Sequence, residues 1–374
     1  MSEVHAARRS QLRDRCAAAG EAAVLVSRPA NIRYLAGAAP AGAALLLGPG
    51  GPAGPVGDVL LCPRPPSGDL AEGQVAGDLR VRVLPAGTAD AAAAAAGLAA
   101  SAGAELLAVE EHDLSVTRHR ALGAAAPHVR LTDLSRAVEQ QRLVKDEEEI
   151  ACLRIAAEIA DQALGELLES ILVGRTERHL ALELERRLVD HGADGPAFPT
   201  SVGTGPNSGV PGHPPSDRRV EEGDFLSVCL GADYRGYHCE LGRTFVIGTS
   251  PARWQIELYE VVFAAQRAGR EALAPTVEYR AVDRAARQVL EAAGHGGGPQ
   301  RRTGHGVGLE IHEDPELSPT AMGKLDACVP VTVGPGVHLP GRGGVRIDDT
   351  LVVRPEADGG PELLTITTKE LLAL

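Results

Sequence analysis

The sequence predicts an α/β (α+β) chain in two parts, an α/β domain over residues 1–136 and a larger domain over residues 137–374. Three observations carry this expectation. Short apolar runs alternate with helical patterns in the first part. In the second, the order helix, helix, hairpin occurs twice, an internal duplication. Between the two hairpins lies TGHGVGLEIHEDP, a glycine-rich loop with His305 and His312. Two hairpins and a histidine loop converging on one point would build a polar pocket.

Taken in order, residues 5–19 read as a helix. Ala22 to Ser27 is an apolar strand that leads into PANIRYLAG, and Ala43 to Leu47 is a second strand. GPGGPAGPVG (48–57) is a Gly/Pro turn region. Strands follow at Val59 to Cys62, Val81 to Leu84 and Glu105 to Val109, with an Ala-rich helix over Ala89 to Ala102. Asp146 caps a long helix in DEEEIACLRIAAEIADQALGELLESI. Its apolar face is Ile150, Leu153, Ala156, Ala157, Ala160, Leu164, Leu167 and Leu168, at three- and four-residue steps. Three glutamates in the first turn suit the helix dipole. Thr176 opens a second helix, and Trp254 to Leu273 and Arg280 to Ala293 form two more.

The first hairpin joins Phe225–Leu230 to Tyr237–Val246. Centred between Tyr234 and Arg235, it sets Cys229 directly across from Glu240, and such pairs hold their Cβ atoms about 4.5–5.5 Å apart. The second, VTVGPGVHLPGRGGVRIDDTLVV, is centred on Gly341 and sets Gly334 across from Asp348.

At 374 residues the chain can bury a core in each part. Aromatic residues are only 3 %, so Ala, Leu and Val must fill those cores. A net charge of −13, with no basic run, argues against nucleic acid or an anionic membrane as partner. No stretch approaches 18 apolar residues and the start lacks a signal-peptide core, so a cytoplasmic protein is expected. Six scattered cysteines without a CxxC fit reduced thiols.

The segments PANIRYLAG, RLVKDEEEI, GTGPNS, GDFLSV…GADYRGY…GRTF, GHGVGLEIHE and GPGVHLPGRGGVRIDDT resemble the creatinase / aminopeptidase P / prolidase ("pita-bread") family. The resemblance spans nearly the whole chain. It implies a creatinase-like N-terminal domain that shapes the substrate pocket, a duplicated pita-bread domain, and a homodimer. In the family's peptidases, two divalent ions are held by two Asp on the first hairpin, one His, and two Glu on the second. Those positions here are Cys229, Glu240, His305, Gly334 and Asp348, of which only His305 is the expected residue.

Two ions about 3.5–4 Å apart need bridging carboxylates to offset their charge. With Glu240 and Asp348 alone, and each of altered length, no metal cofactor is expected. A single zinc or manganese ion on Glu240, His305, Asp348 and Cys229 stays open. In the plain alternative the two carboxylates pair with Arg243 and Arg346 and fill the old cavity. Cys229 is either a nucleophile activated by His305 or a buried, inert thiol. Cys239 alternates to the other face and packs. His312 and Arg346 match the family's substrate-holding histidine and arginine. A loop histidine of the family aligns with Gly212, so His213, next door, is its expected stand-in. Creatinase itself uses such a histidine without metal.

The resulting expectation is a metal-independent hydrolase or lyase that cleaves a C–N bond in a small amide, amidine or peptide-like substrate. His213, His305, His312 and Arg346 would be catalytic, and Glu240, Asp348 and Cys229 would bind substrate. The alternatives are a non-catalytic pseudo-peptidase that binds a peptide or partner protein, and a mononuclear Xaa-Pro dipeptidase.

Overall fold

A computed structural model of the chain describes residues 2–18, 23–65, 78–88, 90–170, 172–296 and 301–374. Ala19, Ala22, Ala89 and Ile171, expected as ends of helices and strands, lie outside the described residues. The chain divides into two compact units, residues 1–142 and 143–374.

The first unit runs α1 (Ser2–Ala18), β1 (Ala23–Val26), α2 (Pro29–Ala36), β2 (Ala44–Leu47), β3 (Asp58–Cys62), β4 (Leu79–Val83), α3 (Ala91–Ser101), β5 (Leu106–Val109), α4 (Val116–Ala125), β6 (Arg130–Asp133) and α5 (Ala137–Gln141). Its strands form one mixed sheet in the order β4-β3-β2-β1-β5-β6. Asp90 caps α3 by accepting from Ala92 N. Five alanines of α3, from Ala91 to Ala99, are buried with Leu46, Leu61 and Leu107. Small side chains let this helix lie close on the sheet, which answers the scarcity of aromatics.

The second unit begins with α6 (Glu147–Leu168), α7 (Glu177–Asp190), β7 (Gly195–Pro196), β8 (Ser201–Thr204), β9 (Phe225–Leu230), β10 (Ala232–Tyr234), β11 (Tyr237–His238) and β12 (Leu241–Val246). It continues with α8 (Arg253–Glu271), α9 (Tyr279–Ala292), β13 (Gly304–Gly306), β14 (Glu313–Leu317), β15 (Pro330–Val333), β16 (Gly336–Leu339), β17 (Gly343–Arg346), β18 (Asp349–Val352) and β19 (Glu362–Leu363). Asp146 and Glu149 make a reciprocal capping box on α6. Each half pairs two helices with a sheet: β12-β9-β8 in the first and β14-β13-β15-β18-β19 in the second. The halves meet where Gly242 and Asp348 exchange backbone hydrogen bonds of 3.1 and 3.0 Å.

The second hairpin has the expected register: Gly336 pairs with Arg346 and Val333 with Asp349, so Gly334 stands opposite Asp348. The first does not. Tyr234 pairs with Tyr237 and Cys229 with Gly242, which centres the turn between Arg235 and Gly236. Both turn residues have positive φ, 53° and 80°, as a two-residue turn matched to strand twist requires. Gly236 N also donates to Asp233 Oδ1 at 2.7 Å. The expected Cys229–Glu240 register is therefore two residues out, and the pair is diagonal.

Candidate functional site

Glu240 falls between β11 and β12, where its backbone leaves the hairpin ladder. Its N–H donates to Thr350 Oγ1 and its carbonyl accepts from the same hydroxyl, at 2.9 and 2.8 Å. The first half is thereby tied to the second, and the Glu240 side chain stays on the Cys229 face. Cys229 Sγ lies 3.5 Å from Glu240 Oε1. Cys229, Glu240 and Asp348 are all buried, and one donor atom from each lies within 4.8 Å of the others. Asp348 occupies a slot between two glycines. A Cβ at Gly242 would overlap Asp348 Oδ2, and one at Gly334 would overlap Asp348 Oδ1.

Arg346 joins these carboxylates, with Nη2 2.8 Å from Glu240 Oε1 and Nε 2.6 Å from Asp348 Oδ2. Arg243, expected as a second partner, goes elsewhere: its Nη2 donates to Asp349 Oδ1 at 2.8 Å, and its Nη1 to the Asp348 carbonyl at 2.7 Å. The next carboxylate along β18 captures it, because alternation turns Asp349 away from Asp348. Burial opposes ionisation of Glu240, but Arg346 and His305 outweigh it and hold the carboxyl down at about 2. Burial pushes the Asp348 carboxyl up to about 6, with the Glu240 charge adding and Arg346 opposing. The two differ because charge on one carboxylate disfavours charge on the other.

His305 Nδ1 donates to the Gly306 carbonyl at 3.0 Å, and its Nε2 stands 3.0 Å from Glu240 Oε2 without hydrogen-bond alignment. A neutral ring so placed would turn a lone pair toward the carboxylate, so the part of the Glu240 lowering that comes from His305 requires a proton on Nε2. The His312 ring meets His305 edge to face, centroids 4.5 Å apart. Burial, then the neighbouring His305 and Arg302, lower the His312 pKa below the ordinary imidazole value. Burial also pushes the Cys229 thiol well above its usual range. That argues for the inert thiol over the nucleophile.

A cavity of about 730 Å³ opens over these groups. Cys229, Glu240, His305, His312, Arg346 and Asp348 all line it, and so does His213. Gly212 has φ +66°, a left-handed conformation that favours glycine. The turn it makes delivers His213 rather than residue 212 to a buried carboxylate, Glu177, at 2.8 Å. Ser201, the strand partner of Cys229, donates to the His213 carbonyl at 3.3 Å. His238 stays outside this cavity lining, its Nδ1 donating to the Gly308 carbonyl. Cys239 packs as expected, its thiol 3.2 Å from the Ala156 carbonyl.

Sequence reasoning missed three residues here. His338 lines the cavity with a buried Nδ1 that has no hydrogen-bond partner among the described residues. The signal was available, since it sits four residues past Gly334 on the second hairpin, facing as Gly334 does. Arg302 also lines the cavity. Glu177, the first residue of α7, carries no sequence signal beyond being an acidic residue after the Thr176 cap.

The fold and cleft define a class before any relative is considered: a creatinase-like α/β unit ahead of a duplicated pita-bread unit, with acids and histidines gathered where the halves meet. Comparison with known proteins agrees. Residues 8–144 match the Creatinase/Prolidase N-terminal domain, and residues 151–355 match Metallopeptidase family M24. The chain belongs to metallopeptidase family M24.

The Xaa-Pro dipeptidase of Pyrococcus furiosus is 38 % identical over 63 % of this chain, a match that spans 66 % of that relative's length. The uncharacterized peptidase YqhT of Bacillus subtilis is 35 % identical over 73 % of this chain and 76 % of its own. Among solved structures, the Xaa-Pro dipeptidase from Bacillus anthracis superposes with a TM-score of 0.89 at 29 % identity, covering 100 % of both chains. The prolidase from Pyrococcus furiosus gives 0.83 at 30 % identity, over 95 % of this chain and 99 % of that one. No described helix is long and apolar enough to cross a membrane.

Proposed function

We propose that this chain hydrolyses a C–N bond in a small peptide-like substrate, in the manner of its Xaa-Pro dipeptidase relatives but without a two-ion centre. One observation carries the reading: the Asp348 carboxylate fills the space that a side chain at position 334 would need. A pair of ions requires bridging carboxylates. This set offers two, both engaged by Arg346, and no donor at Gly334. We read these residues as unfit for two ions.

In this reading the guanidinium of Arg346 supplies the positive charge that balances Glu240 and Asp348. It would also meet the carbonyl oxygen or carboxylate of a bound substrate. His312, neutral at pH 7, and His213 are placed to move protons at the cleft wall. Cys229 contributes shape and a weak donor. The substrate is a short peptide or a related amide or amidine, and a homodimer is the expected assembly.

The three-donor group of Cys229, Glu240 and Asp348 favours a second reading, in which one soft divalent ion binds there. Metal analysis of protein prepared in chelator, with hydrolysis of an Xaa-Pro dipeptide and amidine panel, decides between them. Turnover that persists in chelator, with well under one ion per chain, supports the proposal. One ion per chain and chelator-sensitive turnover support the second reading; two ions per chain overturn both. Absence of turnover on every compound would leave a binding role.

A further inference from the structure

Glu177 stands at the first position of α7, after the cap Thr176, and its side chain is fully buried. Five donors converge on it. Thr204 N and Asn207 Nδ2 reach Oε1 at 2.8 and 2.9 Å, while Ser216 N, Ser216 Oγ and His213 Nε2 reach Oε2 at 2.9, 2.6 and 2.8 Å. Burial alone would raise its pKa, but Ser216, Thr204, His213 and Asn207 outweigh this and lower it. Arg218, held on Asp224 at 2.6 Å, also feels the Glu177 charge. A buried carboxylate with so many donors is a fixed anion.

Two features distinguish this from a structural cap. Four of the five contacts come from backbone or from short side chains that fix the loop after β8. The fifth comes from a histidine that lines the cleft and is 16 % exposed. An ionised carboxylate only accepts, so Nε2 must carry the proton. In the neutral ring Nδ1 is then the bare nitrogen, and the hydrogen bond to Glu177 is made through Nε2 alone.

We infer that Glu177 is a positioning residue, which locks His213 as the Nε2–H tautomer and presents Nδ1 to the cleft as its proton acceptor. The same logic governs a carboxylate behind a histidine in acyl-transfer enzymes. The step it serves rests on the hydrolase reading. Nδ1 takes a proton from a water whose oxygen bonds to the substrate carbonyl carbon. Glu177 steadies the resulting imidazolium, which returns that proton to the leaving nitrogen as the C–N bond breaks. No oxidant or further reactant is needed.

The test is long-range 1H–15N NMR of 15N-histidine-labelled full-length protein, with the His213 signals identified by their loss in His213→Ala. Kinetics on the Xaa-Pro dipeptide panel accompany it. Wild type should show one unprotonated Nδ1 and one protonated Nε2 for His213. Glu177→Gln should lose this single tautomer and lower kcat by about tenfold or more with KM within about threefold, part of the roughly 10²–10⁴-fold that an acid–base group supplies. An Nδ1–H tautomer or a mixture in wild type overturns the inference, and it does so even if Glu177→Gln fails to fold. An unchanged tautomer with unchanged kcat in a folded Glu177→Gln overturns it as well. Should wild type cleave none of the panel, the hydrolase reading falls while the tautomer result still decides the role of Glu177.

Discussion

Asp348 lies in a slot whose walls are Gly242 and Gly334, and the energetics of the cleft start from that contact. Adding a methyl group to a filled site costs about 1–3 kcal/mol. Gly334→Ala should therefore lower the melting temperature by several degrees, at the usual exchange of about 2–4 °C per kcal/mol for a domain this size. Asp348→Ala should absorb much of that loss in the double variant, because the two changes share one space. Additive losses in the four-way melting comparison would refute the overlap. A neighbouring prediction concerns Cys229, whose thiol burial holds well above the usual range. The thiolate is the reactive form, so Cys229 should resist iodoacetamide at pH 8 in the folded protein and react once urea unfolds it. Mass spectrometry of the alkylated peptide reads this directly.

At the scale of elements, Asp349 on β18 is the hub that ties the sheet of the second half to the end of the chain. It accepts from Arg243 Nη2 at 2.8 Å, Gln266 Nε2 at 2.6 Å, Thr365 Oγ1 at 3.0 Å and Lys369 Nζ at 2.9 Å. Removing one partner of a buried pair costs about 3–5 kcal/mol, since the other charge stays buried and uncompensated. Asp349→Ala should show that loss in urea unfolding. Burial disfavours its charge, yet Arg243 and Lys369 outweigh burial and hold its pKa below the ordinary value. A depressed carboxylate stabilises the fold above its unfolded pKa of about 3.9 and loses that contribution as pH falls through the folded value. Wild type should then lose more stability than Asp349→Ala between pH 5 and pH 2, roughly the span in which such a group titrates; parallel curves would contradict this.

Elements also show what was legible in the sequence. The second hairpin was read correctly, since Gly341 with φ +75° marks its turn. The first was read one residue early because Arg235 adopts positive φ, which nothing in an arginine announces; only Gly236 beside it did. α4 was missed because its pattern is flat: Leu122 is its one buried residue, so no apolar face repeats. α2 carried a readable signal in Pro29 at its start but is only eight residues long. In the site, residues on regular hairpins and in the histidine loop were found. Glu177 and His338 were not, because one looks like any acidic helix start and the other is a lone histidine on a strand.

On the scale of the whole molecule, the two units use different means to bury a core that has few aromatic rings. The first lays an alanine helix on its sheet, and the second wraps two helix pairs on two sheets. All six cysteines are free, among them the buried Cys16, Cys62, Cys229 and Cys239. Thermal unfolding should therefore be unchanged by dithiothreitol, and a lowered midpoint on reduction would reveal a cross-link the fold does not contain. The first-half and second-half sheets also share the Gly242–Asp348 bridge and the Glu240–Thr350 pair. Single-probe unfolding curves from the two halves should coincide.

The glycine slot around Asp348 couples positions 334 and 348. One of its walls comes from each half of the duplicated unit, and the guanidinium of Arg346 contacts the carboxylate seated there. A side chain at 334 would collide with the Asp348 carboxylate, so an acid placed at 334 cannot be seated while Asp348 keeps its position. A larger residue at 334 should therefore be tolerated only together with a change that shortens or moves residue 348.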